Sequence, residues 1–166
     1  KKRELRRSRR KRSGVPIAAI VGYTNAGKST LLNAMTKSDA VAEDKLFATL
    51  DPTSRRMRFP KQREVILTDT VGFIRALPKE LVEAFRSTLE EVVEADLLLH
   101  VIDASSPEAE MHIRAVEEVL ETLGVSDVPQ LRVINKIDLV DPSAWLDLRE
   151  RYQGLLCSAQ DSEGLE

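Results

Sequence analysis

Gly22-Tyr23-Thr24-Asn25-Ala26-Gly27-Lys28-Ser29 matches the phosphate-loop pattern G-x-x-x-x-G-K-[ST] without a mismatch. It follows a short apolar run, Val15 to Val21 (VPIAAIV), that reads as a buried parallel strand. Residues Ser29 to Met35 read as the start of a helix. A strand, a glycine-bounded loop and a helix in that order let backbone N–H groups curl around phosphates while the helix N-terminus adds partial positive charge. Lys28 is then expected to reach the β- and γ-phosphates and the Ser29 hydroxyl to ligate Mg²⁺, with Thr30 beside it in the first turn.

Downstream, the chain alternates strands with helices. Residues 37 to 54 show no clean period and read as a long loop; Thr53 to Phe59 and Glu64 to Asp69 read as strands joined by a turn at Pro60-Lys61-Gln62. A 3.6-residue period over about Lys79 to Glu94 places Leu81, Val82, Phe85, Leu89, Val92 and Val93 on one helix face. Asp96 to Asp103 (DLLLHVID) is a predicted strand. Pro107 to Leu123 is a predicted helix, with proline near its first turn and Gly124 just past its end. Leu131 to Asn135, Ser143 to Tyr152 and Gly154 to Cys157 follow as strand, helix and short strand. This order predicts a doubly wound α/β fold, its sheet mostly parallel with helices on both faces, and ligands in such folds bind at the carboxyl ends of the strands.

Three further motifs fall at those ends. Asp69-Thr70-Val71-Gly72 follows the third strand: the carboxylate can hold Mg²⁺ through water, and the glycine lets its N–H approach a γ-phosphate. Asn135-Lys136-Ile137-Asp138 follows the fifth strand. A carboxylate at Asp138 can accept from guanine N1–H and its exocyclic amino group, and adenine offers no such pair. The stem of Lys136 can cover the base face, and Asn135 can tie this loop to the phosphate loop. Ser158-Ala159-Gln160, after the last strand, suits a loop whose backbone N–H meets guanine O6. The nucleotide is therefore expected to be GTP, and a kinase reading gives Asp138 no role.

The four motifs together place the chain among the translation-factor-related P-loop GTPases. GYTNAGKSTLLNA, LFATLDPTSR, DTVGFIRALPKELVEAFRSTLEEV, ADLLLHVIDAS and NKIDL resemble the HflX family of bacterial-type ribosome-associated GTPases, from about Ser13 to Glu166. The resemblance implies binding to the large ribosomal subunit and its RNA, with ribosome splitting or rescue under stress. It also implies that Thr49, within Phe47-Ala48-Thr49-Leu50-Asp51, joins Ser29 on Mg²⁺ in the GTP state; from the residues alone Thr49 and Thr53 are equal candidates. By the family pattern a further N-terminal domain lies outside these residues, and the helix that completes the sheet is expected beyond Glu166. Rival functions are a GTPase of tRNA modification and a GTP/GDP-binding interaction module with negligible hydrolysis.

Catalytic roles are expected of Lys28, Thr49, Gly72 and Asn25. Phe73 stands where many GTPases carry a water-orienting glutamine, so the intrinsic rate is expected to be slow. Asn25 has two open readings: a K⁺ ligand, as in GTPases with an Asn at this place in the loop, or a residue that shapes the loop. His100 and His112 fall in a strand and a helix and carry no expected catalysis, and Asp103 is expected to cap a turn.

Composition sets the frame. The 166 residues are 42% hydrophobic and 31% charged, the balance of one globular domain, and no apolar run approaches the roughly 20 residues of a membrane-spanning helix. The single cysteine, Cys157, excludes an internal disulfide and reads as a small buried residue in a reducing, cytoplasmic setting. Lys1 to Arg12 holds nine Lys or Arg and one Glu, so residues 1–13 read as a basic helical arm before an acidic GTPase domain, 14–166, expected to be monomeric. The arm suits either a solvated helix end or a phosphate-rich partner such as ribosomal RNA.

Overall fold

β1 (Ile17–Gly22) runs through the middle of the sheet, and every one of its residues is buried. The computed structural model describes residues 14–36, 53–59, 63–70, 72–73 and 89–165. Among them six strands form one sheet in the order β2-β3-β1-β4-β5-β6. These are β2 (Thr53–Phe59), β3 (Arg63–Asp69), β4 (Leu97–Asp103), β5 (Gln130–Asn135) and β6 (Leu155–Leu156), with β1. β2 pairs antiparallel to β3, and every other pairing is parallel. The expected doubly wound architecture is present.

The helices are α1 (Lys28–Thr36), α2 (Glu90–Glu94), α3 (Ala109–Thr122) and α4 (Trp145–Tyr152). Alternation along β1 sends its side chains to two cores. Ala19 and Val21 pack with Leu98 against Val92 of α2 and Val116, Val119 and Leu120 of α3. Ala18 and Ile20 pack with Leu67, Leu99 and Val101 against Leu31 and Leu32 of α1. A third cluster joins Ile102 and Ile134 to Ile113 of α3 and to Leu148 and Tyr152 of α4.

Boundaries shift where local chemistry intervenes. α3 begins at Ala109 rather than Pro107, because Ser106 takes the turn: its carbonyl accepts from Ala109 N–H and its hydroxyl from Glu108 N–H. The helix ends where glycine allows, Gly124 at φ +66° donating to Glu121 O while Val125 N–H reaches Leu120 O. The segment predicted as one helix over Ser143 to Tyr152 is a 3₁₀ turn, Pro142–Ala144, followed by α4; Asp141 caps the turn through Ser143 N–H at 2.9 Å. The predicted turn at 60–62 and helix residues 79–88 lie outside the described residues, as does the arm.

Candidate functional site

The carboxyl ends of β1, β3, β4 and β5 bring the motif loops together. The phosphate loop leaves β1 at Gly22 and enters α1 at Lys28. Its shape is held from the side: Phe73 N–H donates to Gly22 O at 3.1 Å and Thr24 N–H donates to Phe73 O at 2.7 Å. Asn25 adopts φ 61°, a left-handed conformation that asparagine tolerates better than most residues, and its side chain is exposed. That backbone fits the loop-shaping reading of Asn25 and leaves its side chain open to the other.

Lys28 is buried, and its ammonium donates to Tyr23 O at 3.2 Å. Burial lowers its pKa to about 8, with the Asp69 charge pulling the other way. A cation held this way, with few fixed partners, is poised for phosphate oxygens. Gly72 lies against it: a β-carbon there would sit 3.1 Å from Lys28 Nζ and 2.9 Å from Thr24 Cα. Only glycine brings its backbone this close to the place of a terminal phosphate.

Ser29 Oγ donates to Asp69 Oδ2 at 2.6 Å. A hydroxyl and a carboxylate meeting beside a phosphate cradle are hard oxygen donors, and they fit Mg²⁺, which takes one or two protein oxygens and completes its shell with phosphate and water.

Asn135 is the joint of the site. Its Nδ2 donates to Ala26 O at 3.0 Å, and its Oδ1 accepts from Ala159 N–H at 2.9 Å and from Cys157 Sγ at 3.6 Å. One buried side chain thereby ties the phosphate loop, the N-K-x-D turn and the S-A-Q loop together, as expected for the first of these and beyond expectation for the last. Gly27, at φ +93°, leaves room for it; a β-carbon there would collide with Asn135 Nδ2. Asp138 stands exposed in the 3₁₀ turn Ile137–Leu139, free in direction to meet a base edge. Lys136 starts that turn at φ 65° and donates to Asp103 Oδ2 at 2.7 Å. Ser158 N–H is engaged with Glu163 O, and Gln160 is exposed.

Some expected site residues take other places. The Thr70 hydroxyl is buried and donates to Ile20 O at 2.7 Å, so it braces β1. Phe73, expected at the place of a water-orienting side chain, has its ring in the core with Val21, Leu89 and Val92; only its backbone faces the loop. Phe47, Ala48, Thr49, Leu50, Asp51 and Val71 lie outside the described residues.

Two contacts carried no local sequence signal. The Tyr23 ring stacks on His112 of α3, with centroids 3.8 Å apart and planes at 12°. Partial burial lowers the His112 pKa against the pull of Glu108 and Asp103. Asp103 caps its turn as expected, but it also holds Lys136. Cys157 is buried, and burial raises its thiol to about 11, so it is unreactive.

Known proteins resemble this chain in sequence and fold. A family model described as "50S ribosome-binding GTPase" matches residues 17–136. "GTPase HflX" of Caldanaerobacter subterraneus is 64% identical over 166 residues, which is all of this chain and 38% of that protein. "GTPase HflX" of Escherichia coli is 46% identical, over 99% of this chain and 39% of that protein. The chain thus spans about two fifths of the length of these relatives. Among solved structures, Era in complex with MgGDPNP and a segment of 16S ribosomal RNA aligns with a TM-score of 0.71 at 25% identity, covering 91% of this chain and 53% of that one. A GTP-binding protein from Sulfolobus solfataricus in complex with GDP aligns with a TM-score of 0.67 at 32% identity, over 98% and 52%.

Proposed function

The chain belongs to the 50S ribosome-binding GTPase family and, within it, to the HflX GTPases, and from that premise we propose that it binds GTP with Mg²⁺, hydrolyses it slowly, and works as the switch domain of a protein that engages the large ribosomal subunit. The observation that carries the nucleotide reading is the Asn135 junction, which holds the phosphate cradle and the Asp138 turn in one fixed frame. Lys28 balances phosphate charge, Gly72 N–H meets the terminal phosphate, and Asp138 reads guanine. Ser29 and Asp69 would hold Mg²⁺, which when bound offsets charge on the β- and γ-phosphates. Thr49 is the proposed partner of Ser29 in the GTP state.

The Phe73 ring lies in the core and is not placed to orient an attacking water. Hydrolysis then depends on an added agent. We place K⁺ at Asn25 or the ribosome itself in that role, the first supported by the exposed side chain of Asn25 beside the cradle. A binding module with negligible hydrolysis is the rival reading. Ribosome association is supported by the family description and by the basic arm, and a cytoplasmic setting belongs to the same reading. No helix among the described residues is long and apolar enough to cross a membrane.

Asp138→Asn is expected to lose about 10- to 100-fold in GDP affinity while gaining affinity for xanthosine diphosphate, since the amide exchanges an acceptor for a donor. Titration with both fluorescent diphosphates measures the exchange; unchanged GDP affinity removes the base-reading role. Single-turnover hydrolysis in K⁺ and in Na⁺, with and without large ribosomal subunits, then separates the agents. Turnover that stays negligible under all four conditions leaves the binding module.

A further inference from the structure

Asp103 is the last residue of β4, and both of its carboxylate oxygens are engaged. Oδ1 accepts from Ser105 N–H at 2.9 Å and from Ser105 Oγ at 2.6 Å, which stops the group from swinging. Oδ2 accepts from Lys136 Nζ at 2.7 Å, and the pair is shielded, with side-chain exposures of 18% for Asp103 and 27% for Lys136. The backbones beneath are locked as well: Asp103 lies opposite Asn135 in the sheet, and Ala104 N–H donates to Asn135 O at 2.9 Å. The lysine stem runs from a left-handed backbone at φ 65° past the phosphate loop, where a β-carbon on Gly27 would lie 3.9 Å from Lys136 Cε. The stem is thus stretched between the phosphate loop on one side and a fixed carboxylate on the other.

We propose that Asp103 is a positioning residue for guanine-nucleotide binding that acts through Lys136, fixing its ammonium so that the methylene stem is already laid out as the wall on which the base face rests. The inference rests on the guanine reading above and extends it to a residue that touches no ligand. A free lysine gives up much of its rotamer freedom when it is ordered against a ligand; one ordered beforehand does not, and the difference appears as affinity. The carboxylate is therefore a device of preorganisation.

Asp103→Asn keeps a side-chain oxygen for the Ser105 turn and removes the anion that holds Lys136. Its Kd for a fluorescent GDP analogue is expected to rise about tenfold, and Lys136→Met, which keeps most of the stem but loses the anchored end, is expected to lose a similar amount. The double variant is expected to be no weaker than either single one, because both remove the same link. In GTP turnover the loss falls on KM and not on kcat. Ser105→Ala, which removes the hydroxyl contact to Asp103 Oδ1 and leaves the N–H contact, is expected to fall between the wild type and Asp103→Asn. Additive losses in the double variant, wild-type affinity in Asp103→Asn or in Lys136→Met, or an equal loss in Ser105→Ala would each overturn the assignment. Should Asp103→Asn fail to fold, Lys136→Met alone still decides it. A wild-type chain that binds no GDP sinks the guanine reading itself, whereas wild-type binding with an indifferent Asp103→Asn sinks this inference only.

Discussion

Removing the ring of Phe73 is expected to cost stability before it costs chemistry. The side chain is 2% exposed and packs with Val21, Leu89 and Val92, so Phe73→Ala opens a cavity worth about 3–5 kcal/mol. Urea unfolding of the nucleotide-free protein measures this; a loss under about 1 kcal/mol would contradict the buried placement. The sequence places Phe73 in the loop after Gly72 and so suggests a side chain facing the nucleotide. The structure reverses that, because Phe73 pairs its backbone with Tyr23 in a β-bridge and the pleat turns the ring inward. By contrast Lys28, Ser29, Asp69, Asn135 and Asp138 were legible as a set, since each sits in a short motif whose spacing is fixed by the chemistry it serves. Asp103 with Lys136, and Tyr23 with His112, were not: the first partners are 33 residues apart, and neither pair leaves a periodic trace.

At the scale of elements, the best-read ones carry their own punctuation. α3 has an apolar stripe at helical period and a glycine past its end, and the structure ends it there. Gly124 sits at φ +66° with nothing within 4 Å of an added β-carbon, so Gly124→Ala isolates the cost of a left-handed backbone. About 1 kcal/mol is expected, a fall of about 2–4 °C in the thermal midpoint. An unchanged midpoint in calorimetry would mean that the cap relaxes into another geometry. The sequence predicts one helix over Ser143 to Tyr152; the Asp141 cap and Pro142 instead draw Ser143 and Ala144 into a separate 3₁₀ turn, Pro142–Ala144. Strands β1 and β4 were legible because a parallel strand covered on both faces is a largely apolar run, and β5 was legible through its buried Val133 and Ile134.

For the molecule as a whole, one buried imidazole ties stability to pH. His100 is 1% exposed in the central strand β4, its Nδ1 has no hydrogen-bond partner among the described residues, and Arg132 lies opposite it in the sheet. Burial first, and Arg132 second, lower its pKa from 6.5 to about 4. The unfolded chain therefore takes up this proton first as the pH falls. The His100 contribution to stability is fully present above about pH 6.5 and is expected to fall away as the pH drops toward 4, by on the order of 3 kcal/mol. Urea unfolding is expected to show a loss of about 1–1.5 kcal/mol between about pH 7.5 and 5.5. His100→Leu is expected to flatten that slope, and a slope that persists in the variant would assign it to other groups.

The Asn135 junction has a consequence in time as well as in shape. Because one side chain ties the phosphate loop to the N-K-x-D turn, the proposed nucleotide would be gripped as a bivalent ligand by two linked surfaces. When the base lets go, the phosphates keep it at high effective concentration over the empty half, and it returns before it escapes. Departure requires both grips to fail within the same short interval. On the proposed function, a rigid frame of this kind would lengthen the residence time of a spent diphosphate, and the tempo of the cycle would be set by whatever pries the frame open.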